Sequence, residues 1–295
     1  MEWLNSSQCR RQSIYNTRQD NWLGRLVWFV LLFIFLSFGF SSLIPSLLYA
    51  DLPVTSGLKL HLDASNVDGS NNSTLSNGDT IGVWKDLSGN QDDAIQSISN
   101  KRPQLLGDQL NNKPVIKFDG SNDYFEGDYS TAFNNDDITI FIIKKQTDSN
   151  HMETFYSTDA DYGFNYLEVT HWDNIEITFT YFNEYATGID YFVSAVEMNS
   201  NDFDLYTVKL DATNNTQDSY KNGVKDTAND NAKEKMTHDI VAKTVSNYLI
   251  GTRPDRTHTL DGEIAELIIF SQSLEESEIF EVHNYLSEKW GLTSL

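Results

Sequence analysis

Acids are the most abundant side chains in this 295-residue chain that could do chemistry, 43 Asp and Glu against 21 Lys and Arg. The first reaction to test is therefore that of a carboxyl pair. Retaining glycoside hydrolysis needs two carboxyls about 5–5.5 Å apart on one face of a cleft. Acids at alternate positions of a strand can supply them, because alternate side chains share a face. Glu126-x-Asp128 has that spacing, with Tyr129, Ser130 and Thr131 after it. Glu263 and Glu266 are three apart, which in a regular strand sends them to opposite faces, and Glu176 stands alone in its segment. The histidines (His61, His151, His171, His238, His258 and His283) show no nucleophile elbow and no His-Glu-x-x-His zinc spacing. The expectation is a protein that is not an enzyme.

Hard-cation binding is the second chemistry. Asp119, Asn122 and Asp123 cluster in a turn and offer the oxygens that Ca²⁺ prefers. The competing reading is an Asx-rich turn whose side chains bond their own backbone. Asp86-Leu87-Ser88-Gly89-Asn90-Gln91-Asp92-Asp93 is a second stretch of the same kind.

The third is recognition of a sugar, which needs exposed aromatic rings plus amide or carboxylate partners for hydroxyls. Aromatic residues are densest from Tyr162 to Phe192. Ile175, Ile177, Phe179 and Tyr181 alternate, so they share one strand face and are expected in the core. Trp172, in the polar turn His171-Trp172-Asp173-Asn174, and Tyr185, beside Asn183 and Glu184, are then the expected exposed rings. Trp172, Tyr185, Asn183 and Glu184 form the predicted ligand site.

The elements that must position these residues read as strands. Leu58–Leu62 alternates with period two, and Val115–Phe118, Ile138–Ile143, Ile175–Tyr181 and Leu205–Leu210 are β-branched and aromatic runs. Clusters of Asn, Asp, Gly and Ser separate them. Asn222-Gly223 stands where a tight hairpin requires positive φ at both positions. Many strands with frequent turns predict a two-sheet antiparallel sandwich. One helix is expected at the end, from about Leu274 to Trp290. Ser273 with Glu276 would make its capping box, Ile279, Val282, Leu286 and Trp290 its apolar stripe, and Gly291 its stop.

Residues 26–50 carry no charge and are apolar enough for a membrane helix or a signal-peptide core. The fold class is thus all-β with a C-terminal helix, preceded by one hydrophobic N-terminal helix. Cleavage after Ala50 and retention as an anchor both remain open. Arg10, Arg11, Arg18 and Arg25 precede the segment and stay cytoplasmic, so either way residues 51–295 form one exported domain, secreted or held at the outer side of a membrane. Contact with the membrane is expected only through residues 26–50. Setting aside the leader's four arginines and two acids leaves 17 basic and 41 acidic residues in that domain, a formal charge of −24. Such a field argues against nucleic acid as a partner. Cys9, in the leader, is the only cysteine, so the exported domain must be held together by its core without disulfides.

Five segments in order carry a resemblance: Gly57–Ser65, Val83–Asn90, Pro114–Tyr124, the Tyr220–Gly223 hairpin, and Gly262–Phe270 with the helix to Leu292. Together they resemble the laminin-G-like jelly rolls of the concanavalin A-like lectin/glucanase superfamily. His61 departs from the pattern, since many relatives carry Trp there. The resemblance implies two curved antiparallel sheets, often a bound Ca²⁺ and sometimes a glycan site. The Glu-x-Asp-x-(x)-Glu run of its laminarinase-type members is absent. The implied partner is an extracellular or cell-surface glycan, with a surface protein bound by a structural or adhesive domain as the alternative.

Overall fold

The computed structural model describes residues 51–134, 136–146, 153–158, 167–172, 176–181, 190–197, 202–214, 216–226 and 244–292. The apolar segment 26–50 and its predicted helix lie outside the described residues. No helix among the described residues is long and apolar enough to cross a membrane.

In chain order the strands are β1 (Leu58–Asp63), β2 (Val83–Trp84), β3 (Ala94–Ile95), β4 (Gln104–Leu110), β5 (Lys113–Asp119), β6 (Phe125–Asn134), β7 (Ile138–Gln146) and β8 (Glu153–Thr158). They continue with β9 (Leu167–Trp172), β10 (Glu176–Tyr181), β11 (Asp190–Glu197), β12 (Asp204–Asp211), β13 (Thr216–Lys221), β14 (Val224–Lys225), β15 (Thr244–Ile250) and β16 (Asp261–Phe270). The helix α1 (Glu276–Trp290) follows.

These strands form two eight-stranded sheets. The first runs β14-β13-β12-β7-β16-β5-β4, with β1 also on β16; the second runs β11-β10-β9-β8-β15-β6-β3-β2. Every pairing between these strands is antiparallel. The predicted all-β sandwich with a C-terminal helix is the fold observed. The hairpin also forms as its sequence requires. Lys221 pairs with Val224, and Asn222 and Gly223 take φ of 47° and 79°.

Alternation fills the space between the sheets. Leu60 and Leu62 of β1, Ile140 and Ile142 of β7, and Phe125 of β6 are all buried. Phe125 meets Trp84 and Phe118 at ring-centroid distances of 6.0 Å each. Burying each side chain of this size contributes about 1.5–3 kcal/mol.

α1 covers the outer face of the first sheet. Ile279, Val282, Leu286 and Trp290 are buried as the stripe predicts, and Gly291 closes the helix in the left-handed region at φ 66°. The cap differs from its prediction. Glu275, not Ser273, is the N-cap, and Glu275 with Glu278 forms the reciprocal box. A carboxylate can accept from an exposed amide as a hydroxyl does. Leu274 is buried ahead of the cap, with its amide on the Thr139 hydroxyl. That seating starts the helix later.

A second expectation fails at β16. Glu263 pairs with Lys145 and Glu266 with Ile143, while Ala265 is the extra residue of a bulge against β7. Lys145 and Ile143 share a face of β7, so the bulge brings Glu263 and Glu266 to the same face. It is the face under the helix. Both acids are occupied there, Glu263 by Lys145 at 3.8 Å and Glu266 by His61 and Lys289 at 2.7 Å each.

Candidate functional site

The outward face of the second sheet is built by the same alternation as the core. On β6, Phe125 and Tyr129 turn inward and are buried, whereas Glu126 and Asp128 are exposed on the opposite face. On β15, Leu249 stands opposite Glu126 and Asn247 opposite Asp128. Ile95 of β3 extends the Glu126 row on the other side. The spacing noticed in the sequence thus becomes a pair of carboxylates side by side on a sheet surface. The next outward position is Ser130, whose amide donates to Asp92, so no third acid continues the row.

A loop between β15 and β16 raises a wall beside these residues. Two of its side-chain-bearing residues, Arg256 and His258, have φ of 61° and 53°. That conformation is uncommon outside glycine and is held here by local bonds. Arg256 donates its amide to the Arg253 carbonyl, and the Asp255 carboxylate accepts from the amide and hydroxyl of Thr257. Arg253 reaches the sheet through Glu168 of β9 at 3.0 Å. Burial pushes the Glu168 carboxyl up to about 7, even though Arg253 pulls it down. Arg256 turns the other way. Its guanidinium lies 2.9 Å from Glu126 and stacks 4.3 Å from the centre of the Tyr124 ring.

Sheet and loop together enclose a cavity of about 420 Å³, lined by Ile95, Glu126, Asp128, Asn247, Leu249, Pro254 and Arg256 together with Gly127 and Tyr248. Two carboxylates, an amide and a guanidinium converge on a floor with aliphatic patches. Few polar groups placed among apolar ones are the usual furniture of a small-ligand site. Sequence reasoning quoted Glu126 and Asp128 only as an incomplete catalytic run. The loop's contribution had no local signal, because Arg256 and Pro254 meet β6 only through the β15–β16 turn.

The other predicted residues fare differently. Trp172 ends β9, paired with Glu176; Asn183, Glu184 and Tyr185 lie outside the described residues. At the predicted cation turn, Asp119 Oδ1 accepts from the amides of Ser121, Asn122 and Asp123 at 2.9, 3.1 and 3.3 Å. This is the Asx-turn arrangement. Burial alone would raise the Asp119 carboxyl, but these bonds outweigh it and hold it low. Asp123 is pushed up to about 6, by burial first and by Asp119 second. Among the described residues no three His, Cys, Asp or Glu side chains are grouped to hold a metal ion.

In the second acidic stretch, Asp86 accepts from the amides of His61, Ser88 and Asp92. Of the histidines, His61 pairs with Glu266, His258 Nδ1 lies 2.9 Å from Arg253, and His283 Nε2 lies 2.8 Å from the Thr207 hydroxyl. Burial lowers the His283 ring to about 4. His171 lies in β9; His151 and His238 lie outside the described residues.

No protein-family model and no curated protein matches the chain. Solved structures do share its fold. The botulinum neurotoxin serotype G binding domain superposes with a TM-score of 0.54 at 15% identity, covering 79% of this chain and 54% of that one. The binding domain of paraclostridial mosquitocidal protein 1 gives 0.53 at 16%, covering 78% and 52%. The botulinum neurotoxin serotype D ligand-binding domain, solved with N-acetylneuraminic acid, gives 0.53 at 12%, covering 78% and 51%. The chain thus spans about half the length of each, and at these identities the likeness is one of fold, a two-sheet β-sandwich.

Proposed function

We propose that the chain is an exported, non-catalytic carbohydrate-binding module of the laminin-G-like kind. The observation that carries this reading is the cavity beside β6. It is open to solvent, it has the size of a small-ligand site, and its two carboxylates and amide suit sugar hydroxyls. The sandwich fold, shared with domains solved as ligand-binding units, supports it. Absence of catalysis is part of the proposal. Glu126 is held by Arg256, and the row ends at Ser130. Trp172, Tyr185, Asn183 and Glu184 stand as a second proposed ligand patch. Calcium would assist only through Asp119, Asn122 and Asp123.

A glycan array probed with the full chain, with and without a chelator, tests ligand class and calcium dependence together. Binding lost in Asp128→Ala places the site at the cavity; binding lost only in Trp172→Ala and Tyr185→Ala places it at the other patch. Polysaccharide turnover abolished by Glu126→Gln would overturn the non-enzyme reading.

One feature favours a protein partner instead. Val83, Ile95 and Ile98 are 41%, 46% and 47% exposed around the β2–β3 edge, and exposed apolar strips are common at protein contacts. In that case the array stays blank and Ile95→Asp abolishes partner capture.

A further inference from the structure

We infer that the cavity beside β6 selects uncharged glycans and rejects those ending in a carboxylate or sulfate. The inference rests on the carbohydrate-binding reading above and names the ligand class for that site.

A cation not already paired with an acid would favour an acidic sugar. Among the described residues Arg256 is the one cationic side chain lining the cavity, and it is paired with Glu126. Glu126 holds its guanidinium at 2.9 Å, and the Tyr124 ring lies 4.3 Å away along the stacking direction. Lys101 approaches that ring too, with its ammonium 5.5 Å from the centroid. A ligand carboxylate at Arg256 would share the guanidinium with Glu126 and stand beside that acid. It would also meet Asp128, two residues along the same face of β6. Like charges a few ångströms apart oppose binding, the more so as water is expelled. The formal charge of −24 over residues 51–295 adds a long-range field of the same sign.

The same groups favour an uncharged ligand. Asp128 is exposed and acceptor-only when ionised, and a carboxylate accepting from two neighbouring hydroxyls makes charge-assisted bonds. Asn247, opposite Asp128 on β15, offers both a donor and an acceptor. Ile95, Leu249 and Pro254 give the C–H side of a sugar ring an apolar surface. Arg256 then works indirectly, holding Glu126 in place.

The test compares matched pairs on one array, for example lactose with sialyllactose, using the full chain at physiological salt. The expected result is at least tenfold stronger signal for the uncharged member. Asp128→Lys should shrink or reverse that ratio, because it removes the repelling carboxylate and adds a free cation. Equal or stronger binding of the sialylated member, lost in Arg256→Ala, would overturn the selectivity while leaving carbohydrate binding intact. Binding of no glycan, or binding indifferent to Asp128→Ala, would instead overturn the carbohydrate reading of this cavity and the inference with it.

Discussion

His61 Nε2 lies 2.7 Å from Glu266 Oε1, joining β1 to β16 beneath the helix. The second oxygen of Glu266 receives the Lys289 ammonium at 2.7 Å and the Trp290 indole N–H. Lys289 also sits 2.6 Å from Asp63. One buried carboxylate thus fastens β1 and the last turn of α1 to the same strand.

Glu266→Gln tests that fastening. Burial alone would raise this carboxyl, but Lys289 and His61 outweigh it and hold it at about 2, below the ordinary 4.5. The unfolded chain therefore takes up the proton first as pH falls. The stabilisation is fully present above pH 4.5 and is lost between 4.5 and about 2. In the variant Lys289 keeps Asp63 and the Tyr285 hydroxyl, so the loss should be about 1.5–3 kcal/mol near neutral pH. Urea unfolding at a series of pH values should also show a flatter acid limb in the variant than in the parent chain.

That network shows where sequence reading reaches and where it stops. Period-two alternation marked Leu60 and Leu62, because the core side of β1 recurs at every second residue. Ile140 and Ile142 were legible only as part of an unbroken apolar run, since β7 is buried on both faces. The helix stripe of Ile279, Val282, Leu286 and Trp290 was legible from its recurrence, as in β1. His61 could be seen only as a departure from the pattern the chain resembles, since its partner is 205 residues away. The bulge at Ala265 left no local mark either, yet it decides that Glu263 and Glu266 share a face. The cavity sits between these cases. Its Glu126-x-Asp128 floor was visible as a spacing, while its wall depends on a loop whose left-handed Arg256 and His258 are held by bonds within the loop and leave no apolar pattern.

Glu168 should give the opposite pH response to Glu266. Its folded carboxyl is pushed up to about 7 by burial, with Arg253 only partly offsetting this. The folded state then holds a proton that the unfolded state has released, so stability falls as pH rises from 4.5 to about 7. A rise of this size corresponds to about 3 kcal/mol. Glu168→Gln should reduce the slope in that window, leaving the part below about pH 6 that the raised Asp123 carboxyl contributes. Denaturation midpoints that fall equally in variant and parent between pH 4.5 and 7 would assign the slope to other groups.

The Asp119 turn can be separated from a cation site by one pair of melts. Asp119→Ala removes the acceptor for the amides of Ser121, Asn122 and Asp123, and should cost about 1–3 kcal/mol. The loss should be the same in chelator and in millimolar Ca²⁺. Stabilisation by Ca²⁺ in the parent chain that disappears in Asp119→Ala and Asp123→Ala would place the ion at this turn.

Gly127 separates Glu126 from Asp128, and its missing side chain is what lets Tyr248 lie beneath β6. A Cβ on Gly127 would run into the end of the Tyr248 ring. That ring is buried, stacks on Tyr156 at 6.4 Å and donates its hydroxyl to the Asp92 carbonyl at 2.7 Å. Gly127→Ala should therefore overpack the core by about 1–3 kcal/mol. Tyr248→Phe removes only the hydroxyl and should cost about 0.5–1.5 kcal/mol. The double variant distinguishes the two causes. If the clash lies at the hydroxyl end, Tyr248→Phe should recover part of the Gly127→Ala loss, giving less than the sum of the two. A strictly additive result by thermal unfolding would place the clash on the ring carbons, which Phe retains.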